Sequence, residues 1–117
     1  MNINYPLVEA TRIKFANDKI AEFPYEIEYC LSFRNVFVVM LKVPLKTTYN
    51  ENVFGLSIGG EIIWRIEKAP YQGTRSDCPY THIVAINDNE ANLFNWCDIN
   101  VRIEAQSGKI LDYVITK

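Results

Sequence analysis

Apolar and polar residues alternate over several short segments of the chain, and this period of two predicts β-strands. In residues 26–33 the apolar side chains recur at every second position, as Ile27, Tyr29, Leu31 and Phe33. Because successive side chains of a strand point to opposite faces, we expect one apolar face and one face in water. Residues 35–43 are mainly apolar at both odd and even positions, which predicts a central strand covered on both faces.

Glycines separate two pairs of these segments and predict hairpins. Residues 52–57 and 61–67 are joined by residues 58–60, which include two glycines. Glycine takes the positive φ of a tight turn without steric cost, so we expect a tight hairpin here. The side chains expected on one face of its second strand are Ile62, Trp64 and Ile66.

A second glycine hairpin closes the chain, where residues 99–104 and 110–115 are joined through residues 106–109. Residues 81–86 and 92–96 predict two further strands between the two hairpins.

The N-terminal third allows two interpretations. Residues 11–15 and 19–23 flank Asn17 and Asp18, which favours a hairpin. The alternative is an amphipathic helix over residues 17–23, but it would be very short and would end at Pro24.

These segments predict a mainly β, single domain over residues 1–117, with about eight to ten strands joined by short connections. Such a chain forms an antiparallel meander, either curled into a partly open barrel or split into a sandwich. Its edge strands must be protected or paired. A homodimer through an edge strand is therefore one expectation.

Composition restricts the classes of function. The hydrophobic fraction is 49% and the charged fraction 22%, which is ordinary for a globular protein. The formal net charge is −2 and no basic cluster occurs, so we expect no nucleic-acid partner. The longest apolar run, residues 36–41, is too short to span a bilayer, so we expect no membrane partner.

The cysteines indicate a compartment. Cys30, Cys78 and Cys97 are an odd, widely spaced set, whereas a small secreted scaffold normally carries a dense, even set. The first six residues contain neither a basic region nor an apolar run of the secretory type. We therefore expect free thiols and a cytoplasmic location.

The two glycine hairpins share a residue pattern. Residues 52–56 and 60–66 form one copy, and residues 100–104 and 107–113 form the other, with Tyr113 in the position of Trp64. The pattern resembles the repeat of β-propellers of the pyrroloquinoline-quinone-dependent type. A closed propeller needs at least about four blades of four strands, so the resemblance implies blade-like hairpins in a smaller sheet and no cofactor. The overall layout resembles short uncharacterised bacterial β-proteins.

Candidate catalytic chemistry centres on His82, the one histidine. A histidine can act as general acid or base near neutral pH. Cys78 and Cys97 are possible nucleophiles beside it, and Asp77 or Asp88 could orient its ring. No motif that pairs a nucleophile with a base surrounds them, so the favoured interpretation is a structural histidine and buried cysteines.

The same residue types raise the question of zinc. The possible ligands are Cys30, Cys78, His82 and Cys97, and no two of the cysteines are closely spaced. Zinc sites usually show paired close spacings, so we expect no metal.

Residues 68–80 form the one long connection in a chain that otherwise turns tightly. Long connections without secondary structure often carry function, and aromatic residues and arginine are enriched at binding hot spots. The alternative is that this loop only caps the sheet and packs its aromatic side chains on the core. The predicted binding residues are Trp64, Tyr71, Arg75, Tyr80 and Trp96.

These observations favour a non-enzymatic binding module of a bacterial cytoplasm, of the immunity or accessory type, with another protein as partner. The alternative is a small enzyme that uses His82 as acid or base in a pocket near Trp96.

Overall fold

The computed structural model describes residues 5–70 and 75–116, and within them the protein is all-β. The strands are β1 Leu7–Glu9, β2 Arg12–Lys14, β3 Ile20–Glu22, β4 Ile27–Phe33, β5 Val36–Leu41, β6 Val53–Ser57, β7 Ile62–Arg65, β8 Tyr80–Ala85, β9 Glu90–Asn95, β10 Ile99–Glu104 and β11 Ile110–Ile115. The predicted fold class is confirmed.

The strands form three antiparallel sheets, and each sheet is a meander of consecutive strands. Sheet 1 contains β1–β3, sheet 2 contains β4–β7 and sheet 3 contains β8–β11. None of the three closes into a barrel. The strands are split into separate sheets, as the sandwich alternative predicts. The hairpin predicted in the N-terminal third is β2–β3, and the helix weighed against it does not form.

Sheet 2 is the middle layer, because a separate hydrophobic cluster covers each of its faces. Val38 and Met40 of β5 belong to the cluster shared with sheet 3. Val39 and Leu41 belong to the cluster shared with sheet 1. All four side chains are fully buried, which confirms the prediction of a central strand covered on both faces.

Two register shifts change the predicted faces. In β4 the pairing with β5 shifts between Ile27 and Tyr29, so Ile27 packs toward sheet 1 while Tyr29 packs toward sheet 3. In the β6–β7 hairpin the shift places Ile62 opposite Leu56, and Ile62 is exposed while Trp64 is buried. The predicted shared face is therefore wrong for Ile27 and Ile62 alone, because an extra residue in a strand reverses the alternation.

The two glycine hairpins meet at Trp64. This side chain lies across Gly55 of its own hairpin, where an added Cβ would be 2.1 Å from the indole nitrogen. Gly108 of the other hairpin has φ +73°, and a Cβ there would be 2.4 Å from the indole ring. Trp64 Nε1 donates a hydrogen bond to the Ala105 carbonyl at 2.8 Å. The indole therefore joins sheet 2 to the β10–β11 turn of sheet 3.

A candidate binding site at Trp96

Alternate side chains of the β5–β6 connection fasten it to the segment that leads into β8. The Thr48 hydroxyl donates to Asp77 Oδ1 at 2.7 Å. Asn50 Nδ2 donates to the Ser76 carbonyl at 2.7 Å, and Asn50 Oδ1 accepts from the Cys78 amide at 2.8 Å. The end of the long connection is therefore held by side chains at residues 48 and 50, although it forms no strand.

Asn52 continues this row into the core, where it is fully buried. Its Nδ2 donates to the carbonyls of Leu41 at 2.9 Å and Tyr80 at 2.8 Å. Its Oδ1 accepts from the Tyr80 amide at 2.8 Å. One amide thus uses both donors and its acceptor to join sheet 2 to the first residue of β8.

Asn95 fixes the turn on the other side of this segment. Its Nδ2 donates to the Cys78 carbonyl at 2.7 Å, and its Oδ1 accepts from the Cys97 amide at 2.9 Å. The Trp96 amide donates to the Pro79 carbonyl at 2.9 Å. These bonds hold the backbone of Trp96 at the turn between β9 and β10.

Cys78 and Cys97 form a disulfide with their Cα atoms 5.3 Å apart, so the expectation of free thiols was wrong for both. They come together because the turn after β9 folds back beside the residues that precede β8. Cys30 is free and half-buried, and burial raises its pKa to about 11. A thiol with a raised pKa carries little thiolate near neutral pH and is correspondingly unreactive.

A cleft, which we call the Trp96 cleft, lies between the β5–β6 connection and the segment before β8. Its lining residues are Val43, Pro44, Leu45, Lys46, Thr47, Asp77, Pro79, Thr81 and Trp96. It has a volume of about 220 Å³. Trp96 is 60% exposed and Leu45 is 84% exposed. Two large apolar side chains therefore face solvent, and the backbone of Trp96 is held by the disulfide and Asn95.

The polar groups of the Trp96 cleft carry opposite charges. Lys46 stands in a turn with φ 64°, which is closed by a bond from the Thr47 amide to the Pro44 carbonyl at 3.2 Å. Asp77 lies on the facing segment and already accepts the bond from Thr48. The cleft therefore offers an apolar floor with one cation and one anion among its lining groups.

The structure separates the predicted binding residues. Trp64 and Tyr80 are buried in the core between sheets 2 and 3. Arg75 is exposed, and its Nη1 donates to the Cys97 carbonyl at 3.3 Å. Trp96 lines the Trp96 cleft, whereas Tyr71 lies outside the described residues. Of the two tryptophans, only Trp96 is accessible to a partner.

Tyr80 has an unusual environment for a phenol. Its hydroxyl is buried and has no hydrogen-bond partner among the described residues. Burial raises the pKa of Tyr80 far above its ordinary value, and the charges of Glu51 and Glu67 raise it further. Tyr80 therefore stays protonated at physiological pH, and its side chain packs in the core between sheets 2 and 3.

The candidate catalytic residues do not assemble with one another. His82 Nδ1 shares a hydrogen bond of 2.5 Å with the Tyr29 hydroxyl, and its ring lies against Phe94. Cys78 cannot supply a thiolate because it is in the disulfide. Thr81, and not His82, lines the Trp96 cleft.

Asp77 and Asp88 have partners of their own. Asp77 accepts the bond from Thr48, and Asp88 pairs with Arg34 at 2.5 Å. Among residues 5–70 and 75–116, no three acidic, histidine or cysteine side chains are placed to hold a metal ion. The described part of the chain also contains no helix long and apolar enough to cross a membrane.

The sequence interpretation missed the asparagines that position the site. Thr48, Asn50 and Asn52 alternate with Tyr49 and Glu51, which is the period of a strand with small polar side chains on one face. That period was the available signal. It could not show that the polar face would be covered, because the covering segment comes from residues 76–80.

We expect the loss of the disulfide to destabilise the protein strongly. The bridge closes a loop with a sequence separation of 19. Loop-closure entropy predicts that Cys78→Ala/Cys97→Ala lowers the free energy of unfolding by about 3 kcal/mol, or roughly 10 °C in thermal midpoint. Calorimetry measures this, with Cys30→Ala as the matched control. A double variant as stable as that control would contradict the expectation.

Comparison with known proteins places the chain in a family. No curated protein and no solved structure gave a match. A family model matches residues 8–114 and carries the description "Domain of unknown function (DUF7957)". The match extends from β1 to the penultimate residue of β11 and includes all three sheets. The chain therefore belongs to the DUF7957 family of domains of unknown function.

Proposed function

We propose that this protein is a non-enzymatic protein-interaction module of the immunity or accessory type, and that its partner docks in the Trp96 cleft. The observation that carries the proposal is the exposure of Trp96 on a rigid backbone. Tryptophan is among the residues most enriched at binding hot spots. A side chain with a fixed backbone loses less conformational freedom on binding, which favours affinity.

The size and lining of the cleft support a protein partner over a small-molecule ligand. Pockets for small molecules usually have volumes of roughly 300–1,000 Å³. The Trp96 cleft, at about 220 Å³, is smaller and open beside the exposed Leu45. Such a site fits one apolar anchor side chain of a partner protein, while Lys46 and Asp77 contribute polar contacts at its border.

The test compares exposed apolar residues inside and outside the cleft. Trp96→Ala and Leu45→Asp change the cleft. Ile58→Asp is the matched control, because Ile58 is 58% exposed and lies in the β6–β7 turn. Each tagged variant is used to capture proteins from the native host, and a protein captured by the wild type is purified and titrated calorimetrically.

We expect Trp96→Ala to weaken binding of the purified partner by about 2 kcal/mol, or roughly thirtyfold in Kd. Leu45→Asp is expected to weaken it similarly, and Ile58→Asp to leave it unchanged. If all three variants bound equally well, the cleft would not be the docking site. Thermal unfolding of each variant confirms that the fold is intact.

The alternative of a small enzyme that uses His82 stays a prediction. The bond between His82 and Tyr29 orients the imidazole and leaves its Nε2 as the second nitrogen of an exposed ring. The disulfide removes Cys78 as the nucleophile of this alternative. The exposed imidazole of His82 is then the feature that supports it.

The cytoplasm of a bacterium remains the location that the sequence predicts. The disulfide counts against it, since disulfides persist mainly in oxidising compartments. Trapping of free thiols in intact cells distinguishes the two cases. If only Cys30 is modified, the compartment is oxidising, because Cys78 and Cys97 are in the disulfide. If all three cysteines are modified in denatured protein, the compartment is reducing.

A further inference from the structure

A tight turn of the β5–β6 connection forms one wall of the Trp96 cleft. The Thr47 amide donates to the Pro44 carbonyl at 3.2 Å, which closes a turn of four residues. The third residue of this turn, Lys46, has φ 64°, whereas φ is not positive at Leu45. A positive φ at the third position alone is the mark of a type II turn, in which glycine or asparagine normally takes that position.

Lys46 therefore has a backbone conformation that glycine adopts more easily. For a residue with a side chain, the left-handed conformation brings Cβ too close to the following carbonyl oxygen. Residues held in such conformations cluster at functional sites. The side chain of Lys46 is exposed and lines the Trp96 cleft. The strained turn thus points to a role for the ammonium group in binding.

The Lys46 ammonium is the unpaired charge of the cleft. Within residues 5–70 and 75–116 it makes neither an ion pair nor a hydrogen bond. Asp77, the other charged lining residue, already accepts from the Thr48 hydroxyl at 2.7 Å. The group left for a partner to neutralise is therefore a cation, and a carboxylate is its complement.

We propose that Lys46 determines the specificity of the Trp96 cleft, and that the cleft binds an acidic segment of a partner protein. An apolar side chain of this segment packs against Leu45 and Trp96, and a neighbouring carboxylate accepts a charge-assisted hydrogen bond from the Lys46 ammonium. Because Leu45 and Lys46 are consecutive, one short stretch of the partner makes both contacts. The inference rests on the proposed function and adds the chemistry of the partner to it.

A random peptide library displayed on phage is the probe, because it contains acidic, basic and neutral segments together. The library is selected on the immobilised wild-type protein, and the enriched peptides are synthesised and titrated calorimetrically. We expect them to combine a large apolar residue with a neighbouring aspartate or glutamate. Enrichment of basic peptides, of uncharged peptides or of no peptide would overturn the proposal.

Substitutions of Lys46 separate its charge from its backbone. Lys46→Ala and Lys46→Gly both remove the ammonium, and each is expected to weaken binding of the acidic peptides roughly fivefold. Lys46→Glu is expected to weaken it at least roughly tenfold, since it opposes like charges. High salt should lower the affinity of the wild type more than that of Lys46→Ala. If Lys46→Ala bound as tightly as the wild type, the charge of Lys46 would not determine specificity.

Ala10→Gly is the matched control for the backbone. Ala10 is another exposed residue with a side chain and a positive φ, 52°, and it lies outside the cleft. Both Ala10→Gly and Lys46→Gly are expected to raise the thermal midpoint by a few degrees, because glycine relieves the strain. Only Lys46→Gly is expected to weaken peptide binding. An equal loss of binding in Ala10→Gly would contradict the role of Lys46.

Asp77→Asn is the control for the opposite charge, and it keeps an oxygen that accepts from Thr48. We expect it to change the affinity of the peptides by less than about twofold, since exposed charges without a partner contribute little. A loss larger than that of Lys46→Glu would show that the cleft selects a basic segment, and would overturn the proposal.

Trp96→Ala separates a failure of this inference from a failure of the proposed function. Peptides that lose affinity in Trp96→Ala but carry no acidic residue would leave the cleft as the docking site and overturn the role of Lys46. Peptides that bind Trp96→Ala as well as the wild type would contradict docking in the cleft itself.

Discussion

Replacing Trp64 by alanine is expected to lower the free energy of unfolding by about 3–5 kcal/mol, the usual cost of removing a buried large aromatic side chain. The indole fills the space over Gly55 and against Gly108, and both positions have no side chain of their own to close the cavity. The Ala105 carbonyl also loses its donor. Urea unfolding followed by far-UV circular dichroism measures the change.

Trp96→Ala is the matched control for this prediction. It removes the same atoms from a side chain that is 60% exposed, so we expect a change within about 0.5 kcal/mol. Trp64→Phe should fall between the two, since it retains much of the packing and loses the bond to Ala105. Equal stability of Trp64→Ala and Trp96→Ala would show that Trp64 does not join the two sheets.

The second large effect is expected for Asn52→Ala, which should cost about 3 kcal/mol or more. Truncation leaves the Leu41 carbonyl and both backbone groups of Tyr80 without their partner in a dry environment. Each buried group left unsatisfied costs roughly 1–3 kcal/mol. Because the Tyr80 bonds attach sheet 3 to sheet 2, we also expect faster hydrogen exchange at the start of β8.

Asn17→Ala supplies the control for Asn52→Ala. Asn17 also makes two side-chain bonds to backbone, to Gly59 and Lys19, but it is exposed. Water can replace those bonds, so we expect a loss of only a few tenths of a kcal/mol. If both variants lost the same stability, burial would not be the reason that Asn52 matters.

Local sequence was sufficient for the strands and turns whose causes are local. Residues 99–104 and 110–115 were predicted as strands and are β10 and β11. The run at residues 35–43 was predicted as a central strand, and β5 is covered on both faces. Alternation and turn glycines act over a few residues, so the chain itself carries this information.

The candidate site depended on contacts that no local pattern encodes. Trp64 and Trp96 are the same residue type near the same loop, and one is buried while the other is exposed. Burial of Trp64 follows from the approach of Gly108, a residue far along the chain. Which face of a strand is buried in the core depends on which sheet packs against that face.

The pattern of neighbouring residues is enough to specify an all-β chain of consecutive antiparallel strands, because hydrophobic period and turn chemistry are local properties. The three layers, the Cys78–Cys97 disulfide and the asparagine contacts beside the Trp96 cleft arise only when the sheets pack together. Each of these joins residues distant in sequence. Their formation depends on how the sheets stack, and stacking is fixed by the register shifts and close contacts of the folded chain.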